Sequence, residues 1–148
     1  MYFLKLLRKD KCFMKQLEQA RLYLKKAKED EALLDEVLDS PRISDSVIGF
    51  HCQQAAEKLV KALLSCWGLR FRKTHDLLEL VDLLIDSGYD IPEYLNDIDY
   101  LTPYAIEFRY ELFPQSEEMR LDRQEARRLI VKLRSWIESQ ISILESKP

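Results

Sequence analysis

Between Ile48 and Cys66 the apolar residues Ile48, Cys52, Ala55, Leu59, Leu63 and Cys66 recur at steps of three or four. That spacing stacks them on one face of an α-helix and fits no strand. Ala56 and Trp67 flank the stripe, Gln53, Glu57, Lys58 and Lys61 lie away from it, and Gly68 stops the helix. A stripe this regular over several turns needs an apolar partner, and the rest of the chain offers others of the same kind. Leu17, Ala20, Leu24, Ala27, Leu34 and Leu38 make one face of an earlier helix, with steps of three, four or seven. Ala126, Leu129, Ile130, Leu133, Trp136, Ile137, Ile141 and Leu144 make the face of a last one.

The boundaries follow from capping chemistry. Asp39-Ser-Pro-Arg-Ile-Ser44 ends the first helix, and the second starts at about Ser44 or Asp45. Thr74 caps a third helix that ends at Ser87-Gly88, and Asp122-Arg-Gln-Glu125 is a variant capping box for the last. Pro92 suits the first position of a fourth helix, whereas Pro103 cannot sit in an undisturbed helix interior. The fourth helix is therefore predicted to break there, restart after Thr102 and end before Pro114. With three Gly and five Pro in 148 residues, little material exists for the turns of a many-stranded sheet. The expectation is an all-α, antiparallel up-and-down bundle of four or five helices over residues 14–145, preceded by an N-terminal extension over residues 1–13.

Composition removes several classes of function. The 23 Lys+Arg against 26 Asp+Glu, for a net charge of −3, exclude a generally polyanion-binding protein and leave room only for a regional basic patch. Cys12, Cys52 and Cys66 form no Cys-x-x-Cys pair and have only His51 and His75 as further soft ligands, so neither a metal site nor a cofactor is expected. No apolar run approaches the ~18 residues of a membrane span, and a cytoplasmic, reduced protein without a membrane partner is the expectation. Cys52 and Cys66, both on the core stripe, should be buried.

Three groups of residues remain as candidates for chemistry. His51 borders the apolar stripe, with Gln54 and Lys58 further along the same seam; a hydrogen-bonded bundle edge is the stronger reading, and a ligand site the other. Arg109 borders the core face made by Leu101, Ala105, Phe108 and Leu112. It either closes an intrachain salt bridge or binds phosphate or RNA at a cleft or dimer seam. Arg120, Arg123, Arg127, Arg128, Lys132 and Arg134 concentrate positive charge on the last helix, which reads first as a solvated face and second as a nucleic-acid footprint.

Taken together, Phe50-His-Cys-Gln-Gln-Ala-Ala-Glu-Lys-Leu-Val-Lys61, Lys73-Thr-His-Asp-Leu77 and Leu101-Thr-Pro-Tyr-Ala-Ile-Glu-Phe-Arg-Tyr110 resemble the HEPN domain family, from about Met14 to Leu144. The resemblance implies a homodimeric helical bundle that pairs with a separate minimal nucleotidyltransferase protein in toxin–antitoxin-like operons. It also implies, for many members, a metal-independent ribonuclease whose motif is an arginine followed after four to six residues by a histidine. Arg109 matches the arginine, but Pro114, Gln115 and Ser116 stand where the histidine would fall. Arg70 and His75 satisfy the spacing literally, but in the loop before the third helix, where the motif does not belong. The expectation is thus a dimeric binding partner with no catalytic residue assigned, Arg109 and Tyr110 lining a cleft for a nucleotide or RNA phosphate. An active ribonuclease toxin and a purely structural helical adaptor are the alternatives.

Overall fold

The computed structural model describes residues 2–105 and 120–147, with side chains from Asp10 onward. The elements run α1 (Tyr2–Val37), α2 (Asp45–Cys66), α3 (Leu77–Asp86), a 3-10 segment (Glu93–Tyr104) and α4 (Arg123–Glu145), and no strand occurs among the described residues. Residues 2–13, read as an extension, continue α1 without interruption.

α2 is the central element, packed on α1, α3, α4 and the 3-10 segment. Every residue of its predicted stripe is buried, and so are Val60, Ala62 and Leu64 beside it. α1 and α4 cover it from two sides. The first helix runs antiparallel to both: Gln16 lies against Gly68 at one end, and Arg123 binds the Leu38 carbonyl at the other. Leu17, Ala20, Ala27, Leu34 and Leu38 meet the core from α1, and Ala126, Ile130, Leu133, Ile137 and Ile141 from α4.

The ends are built by local chemistry. Ser44 caps α2 by accepting from the Val47 N–H, and Asp122 caps α4 by accepting from the Glu125 N–H at 3.0 Å. α2 closes with a Schellman turn, in which the Leu69 N–H reaches the Leu64 carbonyl at 2.9 Å and the Gly68 N–H that of Ser65 at 3.1 Å. Gly68 supplies the left-handed residue this turn requires, with φ +70°. The cap of α3 is Asp76 and not Thr74: Asp76 accepts from the Glu79 N–H at 3.2 Å, and Thr74 instead accepts from the Asp76 N–H.

The fourth element also differs from expectation. Pro92 is the cap residue, and the segment behind it winds as a 3-10 helix that takes in Pro103. Its buried residues are Leu95, Ile98, Leu101 and Tyr104, a strict period of three, which is the repeat a 3-10 helix places on one edge. The Thr102 hydroxyl has no hydrogen-bond partner among the described residues, and the expected continuation towards Pro114 lies outside them. Tyr104 closes the segment against α2 at Gly49, where a Cβ would lie 2.8 Å from its Cε1.

Candidate functional site

The apolar stripe of α1 skips one turn. Between Ala27 and Leu34 the inward positions hold Asp30 and Glu31, 9% and 4% exposed. A carboxylate at such a place must be paired, because an isolated buried charge costs several kcal/mol. Asp30 faces α2 and meets two members of the polar seam: His51 Nδ1 lies 3.1 Å from its Oδ1, and the Lys58 ammonium donates to Oδ2. Gln54, between them on the same face, donates to the Gln53 amide oxygen at 2.8 Å. The seam is therefore a closed hydrogen-bonded junction between α1 and α2, and Asp30, absent from the sequence-based candidates, is its hub.

A second junction uses the other polar face of α2. Gln53 and Glu57, expected to lie away from the core, are buried at 0% and 3% exposure because the loop from Leu69 to Asp76 folds over them. Glu57 receives Gln53 Nε2 at 3.0 Å and Lys61 Nζ at 2.7 Å, and His75 Nδ1 sits 3.1 Å from it. Two loop carbonyls complete the junction: Gln53 Nε2 reaches the His75 oxygen at 3.2 Å, and Lys61 Nζ reaches that of Thr74 at 2.9 Å. Those contacts join the Gln-Gln-Ala-Ala-Glu-Lys run to the Thr-His-Asp-Leu run. The residues that carry the family resemblance thus latch the loop to the helix.

Above this latch, between the loop and α1, opens a cleft of about 790 Å³. Arg70 and His75, which satisfy the arginine-to-histidine spacing in sequence, both line it. The His75 side chain is 74% exposed and tethered by Nδ1 to Glu57. Arg72 is turned away and held by Glu79 through two hydrogen bonds of 2.6 and 2.7 Å.

The basic concentration on α4 is largely consumed inside the molecule. Arg127 and Arg134 converge on Glu31, donating to its Oε1 at 2.8 and 3.0 Å; Arg127 also grips Asp35, and Arg134 reaches Glu138. Hydrogen bonding to Asp35 and Glu31 raises the Arg127 pKa, and the bond from Arg127 holds the Asp35 carboxyl below its usual range. Arg123 braces the α1–α2 turn, binding Asp45 and the carbonyls of Leu38, Ser40 and Ile43. Lys132 lies over the Tyr94 ring, 4.5 Å from its centre, and Arg128 pairs with Glu125 on the surface. Three of the six cations, Arg123, Arg127 and Arg134, are clamps to α1 and the turn after it.

Arg109 and Tyr110 lie outside the described residues. Among the described residues no group of three or more His, Cys, Asp and Glu is arranged to hold a metal ion, and no helix is long and apolar enough to cross a membrane. Cys52 and Cys66 are buried free thiols, as expected, and burial pushes them up to about 12 and about 11; Cys12 is exposed.

Fold and polar architecture define a helical bundle whose central helix holds a polar loop through a Gln–Glu–Lys face. The HEPN domain model matches residues 14–140, and the chain belongs to the HEPN domain family. Among solved structures the chain is similar to TT1696 from Thermus thermophilus, at 30% identity over 86% of this chain and 96% of that one, with a TM-score of 0.53. No curated protein matches it.

Proposed function

We propose that this HEPN-domain protein is a non-cleaving, cytoplasmic binding component: a homodimer that engages a minimal nucleotidyltransferase in a toxin–antitoxin-like pair, with Arg109 and Tyr110 receiving a nucleotide or RNA phosphate. One observation carries the non-cleaving part. The chain has two histidines, His51 and His75, and both precede Arg109 in the sequence. None follows Arg109 at the ribonuclease spacing. An arginine, with a pKa above ~12, can neutralise phosphate but cannot exchange a proton with a ribose hydroxyl near neutral pH. The dimer and the nucleotidyltransferase partner rest on the family's habits. Sedimentation of the purified chain should give a dimer, and co-expression with a minimal nucleotidyltransferase from a neighbouring reading frame should give a complex weakened by Arg109→Ala. A monomer throughout the micromolar range, or a complex indifferent to Arg109→Ala, defeats this reading.

A second reading has one observation in its favour. Glu57 orients His75 as a carboxylate orients a general base, and Arg70 borders the same cleft. RNA cleavage abolished by His75→Ala would establish it in place of the first.

A further inference from the structure

The charge of the chain is segregated. From Thr74 to Tyr104 there are eight acids and no lysine or arginine, so in a protein of net charge −3 the remainder is net positive. Arg72 takes Glu79, and Asp76 caps α3. Asp82, Asp86, Asp90, Glu93, Asp97 and Asp99 are exposed and make no ion pair or hydrogen bond among the described residues, whereas Glu31 and Asp35 of α1 are clamped by the arginines of α4. Lys132 reaches the edge of this face, lining a depression with Glu93 and Asp97, and lies over the Tyr94 ring. The same face is apolar. Leu78, Asp82 and Ile85 step by four and three along α3 and are all exposed, and beyond Gly88, at φ +80°, the exposed Tyr89 ring stacks on Trp67 with centroids 3.8 Å apart at 16°. Trp136 stands edge-on to Trp67 at 6.3 Å. Beside this aromatic cluster run two adjoining depressions of about 370 and 320 Å³, which share Tyr89, Ile91 and Pro92; Trp136 and Asp90 line the first, Ile85 and Glu93 the second.

We propose that this groove docks a basic, apolar segment of a partner protein, its Lys and Arg side chains among Asp86, Asp90 and Glu93 and its apolar side chains on Ile85, Tyr89 and Trp136. Exposed apolar residues rimmed by one sign of charge mark a protein interaction surface, and unpaired carboxylates select a cationic occupant from the start of the encounter. Aromatic faces attract a guanidinium or an ammonium as well. Nucleic acid is repelled by the same field, and the same face of a second copy would set acid against acid. Failure of this docking leaves the Arg109 reading, with its dimer and nucleotidyltransferase, untouched.

Both tryptophans of the chain, Trp67 and Trp136, adjoin Tyr89, so their fluorescence reports on the groove. Titration of the full chain with a synthetic amphipathic Leu/Lys/Arg peptide should change that fluorescence and saturate, with an affinity that falls as salt is raised. The Leu/Glu counterpart should not bind, and an oligolysine without apolar residues should bind about tenfold more weakly or worse. Asp86→Asn/Asp90→Asn/Glu93→Gln, and separately Ile85→Ser, alter exposed side chains and should keep the helical circular dichroism of the parent while weakening the peptide about tenfold or more. The proposal is overturned if the Leu/Lys/Arg peptide fails to bind at millimolar concentration, if the Leu/Glu peptide binds as tightly, or if the folded variants bind like the parent. It is equally overturned if sedimentation shows a dimer that the triple variant converts to monomer, which would give the face to a second copy.

Discussion

Gly49→Ala reverses a general rule, and the reversal is worked from one contact. In the interior of a helix, replacing Gly by Ala ordinarily stabilises by about 1 kcal/mol, since it removes backbone freedom from the unfolded chain. Gly49 lies inside α2, so propensity alone predicts a gain. The position is also where the Tyr104 ring lands: an added Cβ would meet Cε1 at 2.8 Å and come closer still to Cγ and Cδ1. Tyr104 is 4% exposed and cannot swing into solvent without uncovering the core. Overpacking a filled core costs ~1–3 kcal/mol, and a clash with three atoms of one ring falls at the upper end. Less the propensity gain, the net loss is about 2 kcal/mol, a fall of about 6 °C in melting temperature for a chain of this size. In a Tyr104→Leu background the same substitution should be neutral or stabilising by up to ~1 kcal/mol. Thermal melts of the four proteins of this cycle decide it. A Gly49→Ala protein that melts higher than the parent would refute the packing of the 3-10 segment on α2.

Glu31→Ala should destabilise the fold by about 2–3 kcal/mol in denaturant titration, less than the full ~3–5 for a broken buried pair because Arg127 keeps Asp35 and Arg134 keeps Glu138. Glu29→Ala, on the exposed side of the same turn, should leave the midpoint unchanged. A thiol reagent at pH 8 should label only Cys12 in the native protein and all three cysteines after unfolding, since burial keeps Cys52 and Cys66 protonated; prompt native labelling of three thiols contradicts the core assignment. The Asp35 and Glu79 carboxyls are held below their ordinary pKa by hydrogen bonds from Arg127 and Arg72, so the stability they add is present above about pH 4 and lost as pH falls through their folded values. Melting temperature should fall below about pH 4, with a shallower acid limb in Asp35→Asn/Glu79→Gln; an unaltered limb removes these pairs from the account.

Much of the bundle is legible in the sequence because helical stripes and caps are local. Ser44, Asp122 and the Ile48–Cys66 stripe act through neighbours within a turn or two, and those neighbours are in the sequence. The buried acids are legible only in negative form, as the seven-residue step from Ala27 to Leu34; a turn of missing apolar residues inside an inward face is where Asp30 and Glu31 sit. Their partners, His51 and Lys58 on α2 and Arg127 and Arg134 on α4, are more than 20 residues away, so no local spacing announces them. Gln53 and Glu57 read as outer-face residues because a loop covers that face, and loop burial has no periodicity. The 3-10 segment is readable in principle, since Leu95, Ile98, Leu101 and Tyr104 step by three where an α-helix would alternate three and four. Arg70 and His75 share a spacing that means little within a loop, and only tertiary structure puts both on one cleft.

The central claim, that the chain binds and does not cut, meets its most direct test in incubating the purified protein with labelled single-stranded RNA at neutral pH, without added metal, beside Arg109→Ala and His75→Ala proteins. The account predicts intact RNA in all three, even with protein in excess. Cleavage by the parent that is lost in either variant would contradict it, because a group able to exchange a proton would then be working at the site where none is assigned.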